Sequence, residues 1–374
     1  MASQSPPPVV LYGYDASPFT LKIRMALRLK QIPYYFVPVS VTMPRPWLRN
    51  TLGLTYRKIP VLSIGKEVYC DTSLIGEALE MFFPPVEGWG ALYPLVKGGQ
   101  SRAYRSLMRG LSQFWTDRPL FNAVTGLIPA AAWRGSFGRD REAFVGHTID
   151  ADKMAANFPA SWSSLDLHLS WLEPALSHQD GWIFNTSQPG LADISLFSQL
   201  KWSREVVQGS YTADLVGGDA AATDYETTVA GFDRVFNPRR YPGVFTWFRM
   251  MERYFEELPE VEITLDQASF EKDVVQQMRA SRLLGRKSLL LPTPSPSLTE
   301  LDAMMGLKEG AEIKIVPNDT GRDSPTFGTL VALSPEEVVI MPRKLEQAAT
   351  VETRLHFPRM GFVLKAVRTQ ESKL

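Results

Sequence analysis

The chain is poor in residues that bind metals or form disulfides. It has one cysteine, Cys70, and four histidines among 374 residues. A single cysteine excludes an internal disulfide and a cysteine-rich metal site. His147, His168, His178 and His356 stand at no metal-ligand spacing, so no structural metal is expected. Charge of one sign is not in excess: 40 Lys and Arg balance 40 Asp and Glu. Such a surface has no field to hold a polyanion, and nucleic acid is not an expected partner. No apolar run reaches the roughly eighteen residues of a membrane-spanning helix. The opening MASQSPPPVV has neither a basic start nor a long apolar stretch, unlike a secretory leader. A soluble cytoplasmic protein with no membrane contact is the expectation.

What is present is a mixed pattern. The length suggests two or three domains. VVLYGY, Val9 to Tyr14, is short, apolar and rich in β formers, and reads as a strand. SPFTLKIRMALRLKQ then reads as a helix, with Ser17 as N-cap and Pro18 at the first helical position. Phe19, Ile23, Ala26 and Leu27 share one face of it. YYFVPVSV is a second strand, followed by a Pro-rich helical or irregular link. KIPVLSIGKEVYC reads as a hairpin turning at Gly65-Lys66, and DTSLIGEALEMFF as a helix capped by Asp71 or Thr72.

From about Ala103 to Pro259 the pattern becomes helix after helix, rich in Trp and Phe. PGLADISLFSQLKW opens one of them, where Asp193 supplies half of a capping box to Gly190. LLLPTPSPSLTELD is a Pro/Ser-rich break. Beyond it, EIKIVP, GTLVAL, EEVVIMP and RLHFPRMGFVLKAV read as strands of a small β module, of compact-barrel type. The expected divisions are 1–8 as a disordered tail, 9–95 as an α/β domain, 96–265 as an all-helical domain, 266–300 as linker and helix, and 301–374 as the β module.

The ordered set of motifs resembles the cytosolic glutathione S-transferase superfamily over about residues 9 to 265. VVLYGYDASPFTLKIRMAL is similar to its first strand, active-site loop and first helix. KIPVL is similar to its cis-proline segment, DTSLIGEALE to its acidic-Ser-x-x-Ile helix start, and YPGVFTWFRMMERY to its closing helices. The resemblance implies a thioredoxin-like N-terminal half and an all-α C-terminal half. The mostly-β block after residue 266 departs from the common pattern. Similar appended modules occur on fungal relatives, some in secondary-metabolite pathways that include double-bond isomerases of the pseurotin/synerazol type.

The family's site residues carry over as follows. Ser17 would activate the glutathione thiol, with Tyr14 as its rival; Tyr12 would pack. Ile59 and Pro60, joined by a cis bond, would pair main chain with the cysteinyl part of glutathione. Asp71 and Thr72 would take the γ-glutamyl end, although the family uses Glu and Ser there. Arg57 or Lys58 would reach the glycyl carboxylate, and Asp117 would order the loop or the glutathione. Tyr104, Met108, Phe114 and Trp115 would line a pocket for a hydrophobic second substrate.

The loop SPFT carries no cysteine, which excludes dithiol exchange. Cys70 reads as a small buried apolar residue, and His356 with Arg359 as a surface patch without assigned chemistry. The resemblance thus implies a glutathione-dependent enzyme that conjugates or isomerises a hydrophobic electrophile. It also implies a homodimer. The alternative is a binding or assembly module of the same fold.

Overall fold

The structure is a computed structural model, which describes residues 7–98, 102–177, 181–211, 214–215, 225–285, 289–343 and 349–367. The expected tail falls mostly outside these residues, as does His178. Pro8 is described, and its carbonyl accepts from Gly65 N.

β1 (Val9–Gly13) lies at the centre of the N-terminal half, parallel to β2 (Tyr34–Pro38) and antiparallel to β3 (Val61–Ile64). β3 turns at Gly65, φ +60°, into β4 (Glu67–Cys70). Every residue of β1 is buried, because both faces of the sheet are covered. Alternation along the strand sends Val9 and Leu11 to one core and Val10 and Tyr12 to another. The first core receives α1 (Pro18–Leu29) and α3 (Thr72–Phe82), with Ile23, Ala26 and Leu27 of the expected face turned inward, whereas Phe19 is half-buried outside that core. The second receives α2 (Pro46–Leu52) and the β module.

The helical half begins with α4 (Arg102–Gly110), which runs on through a π-helical segment, Leu111–Leu120, into α5 (Phe121–Thr125). α6 (Ala130–Arg134), α7 (Ser136–Val145), α8 (Ala151–Ala156), α9 (Phe158–Ser177) and α10 (Leu191–Val207) follow. Asp193 accepts from Gly190 N at 2.9 Å, the capping half expected from the sequence. Much of the aromatic content is core: Phe197 packs between Phe248 and Phe255, and Trp247 is buried beside them. β5 (Glu262–Ile263), which the sequence did not signal, returns to pair with β2. No helix among the described residues is long and apolar enough to cross a membrane.

The module's strands are β6 (Glu312–Pro317), β7 (Thr326–Leu333), β8 (Glu337–Pro342), β9 (Arg354–Pro358) and β10 (Phe362–Ala366). Their order is β10-β6-β7-β8-β9, and β9 then pairs in parallel with β4, making one ten-stranded sheet. β9 and β10 stand at opposite ends of the five-strand run, yet only Arg359–Gly361 joins them. The five strands therefore curl towards closure, as a barrel does. The module is built into the N-terminal half: Leu355, Phe357 and Ile340 share a core with Val10, Tyr12 and Val68. His356 lies in the middle of β9 and is fully buried, so the expected surface patch is corrected. Its partner in that patch, Arg359, pairs instead with Asp302 at 3.2 Å.

Candidate functional site

Three chain segments of the N-terminal half meet at one cavity of about 610 Å³. The first is the turn between β1 and α1. Ser17 caps α1, its Oγ accepting from Thr20 N at 3.2 Å. That bond uses the hydroxyl as acceptor and leaves its proton free to donate into the cavity, which Ser17 lines. Tyr14 lines the same space, and its Oη accepts from Arg141 Nη2 at 3.0 Å. Trp202 of α10 pins the turn by donating to the Ala16 carbonyl at 3.0 Å. Tyr12 is fully buried and packs against Trp47, outside the cavity lining.

The second segment leads into β3, where the Ile59–Pro60 peptide bond is cis. The third is the start of α3. Asp71 is the N-cap, at φ +75°, and its Oδ1 accepts from Ser73 N at 2.9 Å and from Ser73 Oγ at 2.6 Å. Thr72 Oγ1 accepts from Lys22 Nζ at 3.4 Å and donates to Asp117 Oδ2 at 3.2 Å. Lys22 and Asp117 form a buried ion pair at 2.7 Å beneath the site. Burial pushes the Asp117 carboxyl up even against the attraction of Lys22. Cys70 is fully buried in the core, and burial raises its thiol well above the ordinary range.

A helix N-terminus beside a free hydroxyl proton can stabilise an anionic atom such as a thiolate. The two basic residues expected here are already partnered. Arg57 pairs with Asp140 at 2.8 Å, and Lys58 with Asp319 at 2.6 Å. Asp319 belongs to the β module, whose Thr320, Met360, Gly361 and Phe362 also line the cavity.

Apolar lining is supplied by Phe19, Phe121, Trp133, Phe137, Phe144 and Trp202. None of Tyr104, Met108, Phe114 and Trp115 lines the cavity. Tyr104 packs on Phe184 and Met108 is in the core. Phe114 is 52% exposed beneath Arg118, and Trp115 donates to His168 Nδ1 at 2.8 Å. The apolar lining instead comes from the start of α1, from Phe121 just after the π segment, from α6 and α7, and from Trp202 of α10. Sequence reasoning also missed the module's contribution, for which no local pattern exists. No group of three or more His, Cys, Asp or Glu that could hold a metal occurs among the described residues.

Residues 11–86 match the family model described as glutathione S-transferase, N-terminal domain. Over these residues the chain is similar to the cytosolic glutathione transferases. Glutathione S-transferase U4 of Arabidopsis thaliana is 31% identical over 75 residues, which are 20% of this chain and 33% of that protein. Glutathione S-transferase U1 of the same plant is 33% identical over 72 residues, 19% of this chain and 32% of that one. The chain thus spans about a third of the length of these curated relatives. Residues 127–235 match a domain of unknown function (DUF7962).

A crystal structure of a GST-like protein from Pseudomonas syringae is similar in fold across 96% of this chain and 99% of its own. The TM-score is 0.59 and the identity 21%. The likeness is one of fold and extends over nearly the whole of both chains.

Proposed function

We propose that the chain is a glutathione-dependent enzyme of the transferase type. Glutathione would lie with its thiol at Ser17, its cysteinyl main chain along Ile59 and Pro60, and its γ-glutamyl end at Asp71 and Thr72. The observation that carries this reading is the convergence of Ser17, Ile59 and Pro60, and the start of α3 on one cavity that also has aromatic lining.

A free thiol ionises near pH ~8.5. The α1 N-terminus and the Ser17 hydroxyl would both favour the thiolate, the second by about 1.5–3 kcal/mol. Tyr14 is the rival donor. The thiolate adds to a conjugated carbon of a hydrophobic acceptor held against Phe121, Trp133 and Phe144. In conjugation the S–C bond persists and a proton from water ends on the neighbouring carbon. In cis–trans isomerisation the former double bond rotates as a single bond and the thiolate leaves again, so no glutathione is consumed. We place the acceptor among conjugated secondary metabolites and the protein in the cytoplasm as a homodimer; light scattering reads the last point.

The test is incubation with glutathione and conjugated metabolites, followed by mass spectrometry. A gain of one glutathione identifies conjugation; unchanged mass with altered retention identifies isomerisation. Absence of any glutathione binding by the full chain overturns the reading.

The ion pairs Lys58–Asp319 and Arg57–Asp140 favour a second reading, a binding or assembly module without catalysis. Retention on immobilised glutathione, with turnover indifferent to both Ser17→Ala and Tyr14→Phe, would select it.

A further inference from the structure

Gln113 carries a hydrogen-bond donor that the fold leaves unused. It sits in the π-helical segment and is 8% exposed. Among the described residues its Nε2 has no hydrogen-bond partner. A buried amide donor without an acceptor is destabilising, so such a group in a native site calls for an occupant. Gln113 lines the main cavity and an adjoining hollow of about 210 Å³, in both cases together with Ser73 and Met360. Ser73 is in the first turn of α3, so the idle donor faces the same corner as that helix N-terminus.

Charge at this corner selects the acceptor. Bonding from i to i+5 in a π-helix brings residues five apart towards one side. Gln113 and Arg118 accordingly both line the cavity. Arg118 makes no ion pair among the described residues; its guanidinium lies 5.2 Å over the Phe114 ring. The nearby acids are engaged: Asp117 by Lys22, and Asp71 by Ser73. An amide donor, a helix N-terminus and a guanidinium together favour a negatively charged oxygen.

We propose that Gln113 is a binding residue whose Nε2 donates to the α-carboxylate of the γ-glutamyl end of glutathione. This rests on the reading above that the tripeptide occupies the cavity. It adds a ligand contact from the helical half to those of the N-terminal half.

The experiment is calorimetric titration of the full chain with two peptides. One is glutathione; the other is 4-aminobutyryl-cysteinyl-glycine, which lacks only that carboxylate. Gln113→Ala and the near-isosteric Gln113→Met should each weaken glutathione binding about tenfold or more. Neither should alter the affinity for the shorter peptide. Melting temperatures without ligand should hold or rise, since an unpaired buried donor has been removed. Equal losses for both peptides would overturn the assignment, as would an unchanged glutathione affinity in the variants. If the wild-type chain binds neither peptide, the glutathione reading itself fails and this one with it.

Discussion

Glu67 on β4 and His356 on β9 lie 2.9 Å apart, Oε2 to Nε2, across the pairing that joins the β module to the N-terminal sheet. The other ring nitrogen, Nδ1, is 2.6 Å from Glu337 of β8, and the ring lies 4.4 Å from that of Tyr69. Arg354 Nε donates to Glu67 at 3.0 Å. All these groups are buried. Burial opposes charge on His356, but its two carboxylate partners outweigh it and hold the imidazole above its ordinary range. Burial likewise raises Glu67, while bonds from His356 and Arg354 pull it below the ordinary carboxylate range.

The signs set a pH window. A raised imidazole stabilises fully below its unfolded value of about 6.5, and that share is lost as pH climbs through the folded value. A lowered carboxyl stabilises above its unfolded value of about 4.3 and loses its share as pH falls through the folded one. Thermal stability from this network should therefore be greatest between about pH 5 and 6.5. His356→Ala should cost about 3–5 kcal/mol in that window and flatten the alkaline decline. Melting curves of both proteins across pH check this; equal alkaline slopes would refute it.

Ser17 has a structural and a proposed chemical role, and two substitutions separate them. Ser17→Ala should cost about 1 kcal/mol of stability through the lost cap, Ser17→Gly only a few tenths of a kcal/mol. Both remove the hydroxyl, so both should slow thiol addition about tenfold to a hundredfold. Retained turnover in the Gly variant would pass the role to Tyr14, which Tyr14→Phe then tests.

The Lys22–Asp117 pair should respond unequally to losing each partner. Lys22 is 1% exposed, and Asp117→Asn leaves its ammonium without a counter-charge. That should cost about 3–5 kcal/mol. Lys22→Met should cost less, because burial already pushes Asp117 towards its neutral form. Urea unfolding of the two variants reads the order, and a more damaging Lys22→Met would contradict it.

Asp319 holds Lys58 at 2.6 Å, so the β module neutralises a cation at the cavity. Asp319→Ala should release Lys58 for the glycyl carboxylate and tighten glutathione binding about threefold, the scale of an exposed ion pair. Calorimetry checks it; unchanged or weaker binding would argue against Lys58 as a ligand contact.

The N-terminal half was legible because its signals are local. Ser17-Pro18 reads as a helix start from capping chemistry alone, and Gly65 as a turn from its need for positive φ. The apolar lining was not legible. Of the residues expected there, Phe114 and Trp115 fall in a segment bonded i→i+5 rather than i→i+4, while Tyr104 and Met108 precede it in α4 and are taken up by Phe184 and the core. That change of register alters which side chains share a face, and nothing in the hydrophobic pattern announces it. His356 was misplaced for a different reason. RLHFP looks like a strand, but only pairing with β4, 289 residues away between His356 and Glu67, buries it on both sides.

The sequence by itself determined β1 to β4, the caps of α1 and α3, and the likeness of the N-terminal half to the glutathione transferases, since each follows from short-range backbone preferences and motif order. Tertiary structure alone decided that the β module continues the sheet and supplies one side of the cavity. It also decided which cations are neutralised and which donors stay idle. Those outcomes depend on distances between groups far apart in the chain, and local pattern carries no information about them.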